Sequence, residues 1–423
     1  MKNNPYIELI RNTNFRNIWL GQVTSQIALN MLSFVLAIRV YKETGSNTAV
    51  SIMLLTFGIP SILFGFIAGG LVDHFNKRNI LVFCNVSRIF ILILFYFFFQ
   101  NLFSLYILSV IISIVTQLFI PAEASSIPNL VKEKLIMSAN SLFTVSFYLS
   151  SVLGFIFAGP FIKLFGHNYI YLVMAGLLSL ASFFVWQLPR MRSLKKNIDK
   201  FSINLLFSTM KEGFVFIKSN IRIEQSLILM TFSQSLITTL AVLAPGFSDK
   251  VLSIDLNDAS FLVMGPAAIG LIFGAVWVGQ YGIRYLKGKL ILFGILAIGL
   301  SLIGIAVVTS RLFPVINKIL QTVYIGNLGF TFILLILLGT FNSFVSVSAN
   351  TILQEDSDTN MRGRVYGVLT SLTGGASLIP VIFSGILADV VGVSRTLLIL
   401  GFFVLFVGVY HYLQRQKVNN TIN

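Results

Sequence analysis

GFIAGGLVDHFNKRNILV, residues 65–82, decides the fold. An apolar run rich in small residues stops at Asp73, a short polar turn carries Lys77 and Arg78 at its far side, and a second apolar run begins at once. The pattern reads as a membrane hairpin with a charged hinge. A connection of about four or five residues makes the two helices antiparallel neighbours that must pack closely beside the turn. Gly65 and Gly69 lie four apart on one face, where a partner backbone can approach. Asp73 can pair with Lys77 and Arg78 across the turn, or reach the positive N-terminus of a nearby helix. Either contact can be broken and remade, which suits a gate.

Outward from the hinge, composition agrees. The 423 residues are 56% hydrophobic and 11% charged, against about 25% charged in soluble chains, and the mean hydropathy is +0.87. Repeated long apolar runs, each reaching the roughly 20 residues that a spanning helix needs, make the chain polytopic. The formal charge of +15 marks no nucleic-acid surface, because no soluble domain is long enough to carry one. One cysteine, Cys84, and three scattered histidines exclude an intramolecular disulfide framework and a multi-cysteine metal site. The apolar run from about Ile18 continues to Tyr41 without a small-residue cleavage site, so it reads as a retained first span.

Twelve spans are expected, at about 15–41, 47–72, 79–100, 102–130, 137–165, 168–188, 223–248, 258–282, 289–309, 328–353, 363–388 and 393–413. Six precede and six follow a charged interruption. The expected organisation is therefore an N-terminal six-helix bundle (1–188), a linker (189–222) and a C-terminal six-helix bundle (223–423). The linker's second half, FSINLLFSTMKEGFVFIKSN, has apolar residues at helical spacing among lysines, as in a helix lying on a membrane surface.

Basic residues set the orientation. With the N-terminus cytoplasmic, the segments on that side hold 22 Lys and Arg and the other side 6, with Arg39 and Arg88 inside spans. The positive-inside rule then places both termini in the cytoplasm. The halves also echo each other, as in transporters built from repeats. FGFIAGGLVDHFNKRNILVF (64–83) aligns, with one inserted residue, with FGAVWVGQYGIRYLKGKLILF (273–293), and GPFIKLFG (159–166) aligns without gaps with GILADVVG (385–392).

Gly69, Gly70, Leu71, Asp73, Lys77 and Arg78 resemble the signature loop between the second and third helices of the major facilitator superfamily, a glycine, then an acid, then two basic residues. Asn76 stands near the place of the glycine that the family commonly has before the basic pair, and Asn tolerates the same left-handed turn. FRNIWLGQVTSQIA (15–28), YKETGSNTAV (41–50), FIPAEASSIPNLV (119–131) and LQEDSDTNMRGRVYG (353–367) are similar to landmarks of its macrolide-efflux and enterobactin-exporter branch. Two departures stand out: Glu123, where many members carry a basic or neutral residue, and a Gly-Pro pair displaced from near Gly154 to Gly159 and Pro160. The resemblance implies an all-α membrane protein, twelve transmembrane helices in two pseudo-symmetric six-helix bundles, working by alternating access.

Ionisable residues inside spans are functional candidates because burying them is costly. Arg88 and Glu123 should both lie roughly 12–14 Å in from the cytoplasmic ends of the third and fourth spans, and are expected to pair. Desolvation would favour the neutral acid and the arginine the carboxylate, a balance suited to taking up and releasing a proton. A permanent structural pair is the alternative reading. Asp73 reads as a gating residue and Arg39 as an interfacial anchor. Polar residues recur at four-residue spacing: Gln22, Gln26 and Asn30 on the first span, Gln234 and Thr238 on the seventh, Asn342 and Ser346 on the tenth. The resemblance implies that these stripes line a central path; interhelical hydrogen bonding is the other reading.

With few charges and forty Phe, the cavity suits a lipophilic or amphipathic cargo, exported as protons enter. The expected setting is a monomer in the lipid bilayer of the cell membrane, with no cofactor and no nucleic acid. No GxxxxGK[ST] loop is present, and nothing suggests a nucleophile with its base, so an enzyme is not expected. The other functional readings are an exporter dedicated to one metabolite, such as a siderophore, and a membrane sensor that kept the fold without transport.

Overall fold

The structure, a computed structural model, describes residues 5–72, 75–191, 215–309, 326–357, 368, 374–375 and 378–422. Among them every regular element is helical. In chain order these are α1 (Pro5–Arg11), α2 (Thr13–Thr44), α3 (Asn47–Val72), α4 (Lys77–Phe98), α5 (Leu102–Leu130), α6 (Ile136–Trp186), α7 (Ile221–Phe247), α8 (Gly265–Tyr281), α9 (Lys287–Thr309), α10 (Gly326–Asp356), α11 (Leu378–Val391) and α12 (Val393–Ile422). Nine segments of the described residues are long and apolar enough to cross a membrane. The molecule is an all-helical membrane protein, as its composition requires.

The expected fifth and sixth spans are the two limbs of α6, which meet at Gly166 with φ 84° and ψ 167°. Gly392, at φ 88°, separates α11 from α12 in the same way. These are the last residues of the two aligned octapeptides. A β carbon at either would meet nothing within 4 Å, so the left-handed backbone alone demands glycine. The expected eleventh span, 363–388, is described continuously only from Leu378, and residues 201–214 of the expected surface helix, 201–220, lie outside the described residues.

Asparagines start several helices. Asn76, Asn101 and Asn220 accept the backbone N–H of Arg78, Ser104 and Arg222 at 3.1, 3.3 and 3.1 Å, which satisfies donors that the first turn leaves open. At the N-terminus, Lys132 donates to Glu8 at 3.0 Å, and that hydrogen bond holds the Glu8 carboxyl below its usual range.

The chain divides into two compact units: Met1–Val40 with Ile52–Phe207, and Tyr41–Ser51 with Ser208–Asn423. In the first unit α4 shows the logic of a membrane helix. Phe83, Phe90 and Phe97, seven apart, are exposed, while Leu81, Cys84, Asn85, Arg88, Leu92 and Phe95 are buried on the opposite side. Apolar rings face outward and the polar groups face protein.

In the second unit α8 and α10 cross in backbone contact. A β carbon on Gly270 would fall on the carbonyl oxygen of Ile336, and one on Gly339 on that of Ala267. Ser343 seals the crossing by donating to the Leu271 carbonyl at 2.6 Å, the small-residue and hydroxyl chemistry by which membrane helices associate. At another point of this unit the start of α3 is capped by a distant residue. Asp389 on α11 accepts the N–H of Asn47 at 2.8 Å and of Thr48 at 2.9 Å, and the Ser46 hydroxyl at 2.5 Å.

Candidate functional site

The buried charge of the first unit is built on α4 and α5. Arg88 is 1% exposed. Its Nη1 donates to Asn85 Oδ1 at 3.2 Å, one turn back on the same helix. Its guanidinium lies over the Phe119 ring, 4.4 Å from the centroid. A desolvated cation–π contact is worth about 2 kcal/mol, against a cost of about 3 kcal/mol for an arginine at mid-membrane.

That balance is incomplete. Among the described residues Arg88 Nε and Nη2 have no hydrogen-bond partner, and neither has Glu123 Oε1 on α5, one turn beyond Phe119; all three atoms are buried. The charges of Arg88 and Glu123 are close enough to act on each other, yet these atoms do not close a hydrogen-bonded bridge. Each unpartnered polar atom costs about 1–3 kcal/mol. The site is thus a carboxyl on α5 and a guanidinium on α4 within electrostatic reach of each other, the carboxyl oxygen with room for a proton or a donor and the guanidinium N–H groups with room for an acceptor.

At the hinge, Asp73 lies outside the described residues and Gly69 lies within α3. Lys77 donates to the Ser125 carbonyl near the end of α5 at 2.9 Å, where a cation meets the negative end of the helix. Arg78 lies over the Trp186 ring at 5.8 Å. The two basic residues of the turn thus tie α4 to α5 and to the end of α6.

The polar stripes divide. Gln22 is buried and donates to the Phe143 carbonyl at 3.4 Å, and its Oε1 has no partner among the described residues. Gln26 and Asn30 are half-buried, joined by a 2.8 Å bond from Asn30 Nδ2 to the Gln26 carbonyl. Gln234 is exposed, and Thr238 donates to its carbonyl at 3.0 Å. Asn342 is buried and accepts from Ser233 at 2.9 Å, while half-buried Ser346 donates to the Ser343 carbonyl at 3.5 Å. Gln22 and Asn342 therefore join helices within their own units. Arg39 lies over the Phe99 ring at 5.6 Å.

Sequence reasoning passed over Asn85, Phe119, Ser233 and Asp389. Asn85 had a signal, three residues before an arginine on a helix. Asp389 had one too, since the aligned octapeptides set it opposite Lys163. Phe119 carried none among forty Phe.

The family model described as Major Facilitator Superfamily matches residues 18–380. The chain is 24% identical over 386 residues to the MFS-type transporter YfiS of Bacillus subtilis (strain 168), covering 88% of this chain and 86% of that one. It is 23% identical over 411 residues to macrolide efflux protein A of Streptococcus pyogenes, covering 93% and 94%. Among solved structures, a bacterial homolog of the human lysosomal transporter Spinster, inward-facing and occupied, aligns with a TM-score of 0.74 at 13% identity over 98% of both chains. The nucleoside transporter NupG aligns with a TM-score of 0.70 at 12% identity over 94% of this chain and 97% of that one.

Proposed function

Because the chain belongs to the Major Facilitator Superfamily, and is thereby a membrane transport protein and not an enzyme, we propose that it exports a lipophilic or amphipathic compound from the cytoplasm in exchange for protons. The observation that carries this reading is the Glu123 and Arg88 site: inside the membrane-spanning part of one unit, a carboxyl oxygen and two guanidinium nitrogens are buried without hydrogen-bond partners among the described residues. A permanent structural pair would close on itself. A carboxyl with an open oxygen beside a fixed cation can bind a proton in one state and release it in another, as proton-coupled transport requires.

The efflux direction and the cargo class draw support from the similarity to macrolide efflux protein A and from the scarcity of charge in the spans. In this reading Gln26 and Asn30 face the cargo, Lys77, Arg78, Gly69 and Asp73 form the gate, and both termini lie in the cytoplasm by the 22-to-6 distribution of Lys and Arg. The setting is the cell membrane, and the working form a monomer.

Everted vesicles energised by respiration test the reading. Addition of a transported macrolide or other lipophilic drug releases protons from the vesicle lumen, and Glu123→Gln lowers that release at least tenfold while cargo exchange continues. An unaltered proton flux in Glu123→Gln removes the residue from coupling. Silence across lipophilic drugs and siderophores alike overturns the transport reading in favour of a sensor.

A further inference from the structure

Where α8 ends and α9 begins, the second unit holds a cavity of about 340 Å³ that the transport reading does not use, a size within the roughly 300–1,000 Å³ of ligand pockets. Its walls are aromatic. Trp277 stacks on Phe344, with centroids 4.9 Å apart and planes at 13°, and on Tyr285 at 5.8 Å and 27°. Phe341 meets Phe344 edge-on at 5.5 Å, and Phe293 meets Phe341 edge-on at 5.3 Å. The charged residue in the lining is Lys289.

The pocket reaches the surface of the unit, with Phe293 and Tyr285 56% and 52% exposed. Its surroundings are those of a membrane–water interface: Trp277, Tyr281 and Tyr285 form an aromatic belt beside the exposed Arg284 and Lys289, the arrangement found at headgroup level. The nearby acid, Glu355, is engaged by Lys287. The charge at the mouth is therefore positive, and the interior is apolar and flat-walled.

We propose that this cavity is a site for an anionic phospholipid, its phosphate on Lys289 and the upper part of an acyl chain between Phe293 and the Trp277–Phe344 stack. A zwitterionic lipid would bring its own cation against Lys289, so the site discriminates by headgroup charge. Basic pockets between membrane helices bind anionic headgroups on the cytoplasmic side, and the charge distribution places the α8–α9 turn there. The inference stands apart from transport: it needs neither proton coupling nor a known cargo.

The chain has three tryptophans, so Trp19→Phe with Trp186→Phe leaves Trp277 as the sole emitter. In nanodiscs of phosphatidylcholine, brominated phosphatidylglycerol should quench Trp277 at mole fractions at which brominated phosphatidylcholine does not. Lys289→Gln should raise the phosphatidylglycerol fraction needed for half-quenching about fivefold, the worth of one basic residue at an anionic surface. Lipid carry-over of the unsubstituted protein and of Lys289→Gln, read by native mass spectrometry, gives the same comparison if the double tryptophan variant does not fold. Equal quenching by the two headgroups, or equal phosphatidylglycerol carry-over with and without Lys289, overturns the proposal.

Discussion

Helices α4 and α9 hold matching places in the two halves, each entered from a basic turn, and they bury opposite chemistry. Counted from the matched Phe83 and Phe293, the positions of Cys84, Asn85 and Arg88 in α4 are those of Gly294, Ile295 and Ile298 in α9. All six are buried. In α4 they form a polar cluster with open hydrogen-bonding capacity. In α9 they form an apolar seam, where a β carbon on Gly294 would come within 2.9 Å of the Phe341 carbonyl oxygen. One repeat thus buries polar groups that cost stability, while the other closes on backbone contact. In the proposed reading the first half works the proton and the second braces.

The strongest way to break this comparison is to wedge the bracing half. Gly270→Val drives side-chain atoms into the Ile336 carbonyl and should cost roughly 3 kcal/mol or more, read as loss of a monodisperse peak in detergent. Gly176→Ala, on α6 where a β carbon meets nothing within 4 Å, should leave that peak unchanged. Tolerance of Gly270→Val would end the bracing account.

A finer test makes α4 resemble α9. Arg88→Ile with Glu123→Leu replaces both buried charges with apolar residues, as at the matching position of α9, a change that is often neutral or stabilising by about 1–4 kcal/mol. The expected outcome is an unchanged or raised melting temperature together with loss of proton-coupled flux. A melting temperature that falls steeply would instead assign the pair a structural role.

The smallest expected effect is at the cap of α3. Asp389→Asn keeps the shape but exchanges a charged acceptor for a weaker one, and should cost about 1 kcal/mol, seen as a drop of a few degrees in the thermal transition. No drop would mean that water replaces Asp389 at the first turn of α3.

Much of the fold was legible because membrane helices need length and apolarity, and both survive in a single sequence. The expected span 79–100 lies against α4 at Lys77–Phe98, and 102–130 coincides with α5. The joint at Gly166 was legible as the end of an aligned octapeptide. The site was legible in part. Arg88 and Glu123 stood out because charge inside a span is rare, whereas what Arg88 rests on, the Phe119 ring, is one apolar residue among many. Gln22 and Asn342 had the right spacing for a stripe, but spacing cannot say which neighbour a polar face meets. The octapeptides flagged Asp389, but its partners were hidden for a similar reason: they lie some 340 residues away in sequence.

At Gly166 and again at Gly392 two helices meet with no spacer between them. A rod joined to its neighbour at a single residue has no slack along the chain, so shifting the joined end of one limb shifts the end of the other with it. The smallest piece that either half can displace near these joints is therefore a pair of rods. A probe fixed at either joint reports the travel of both ends.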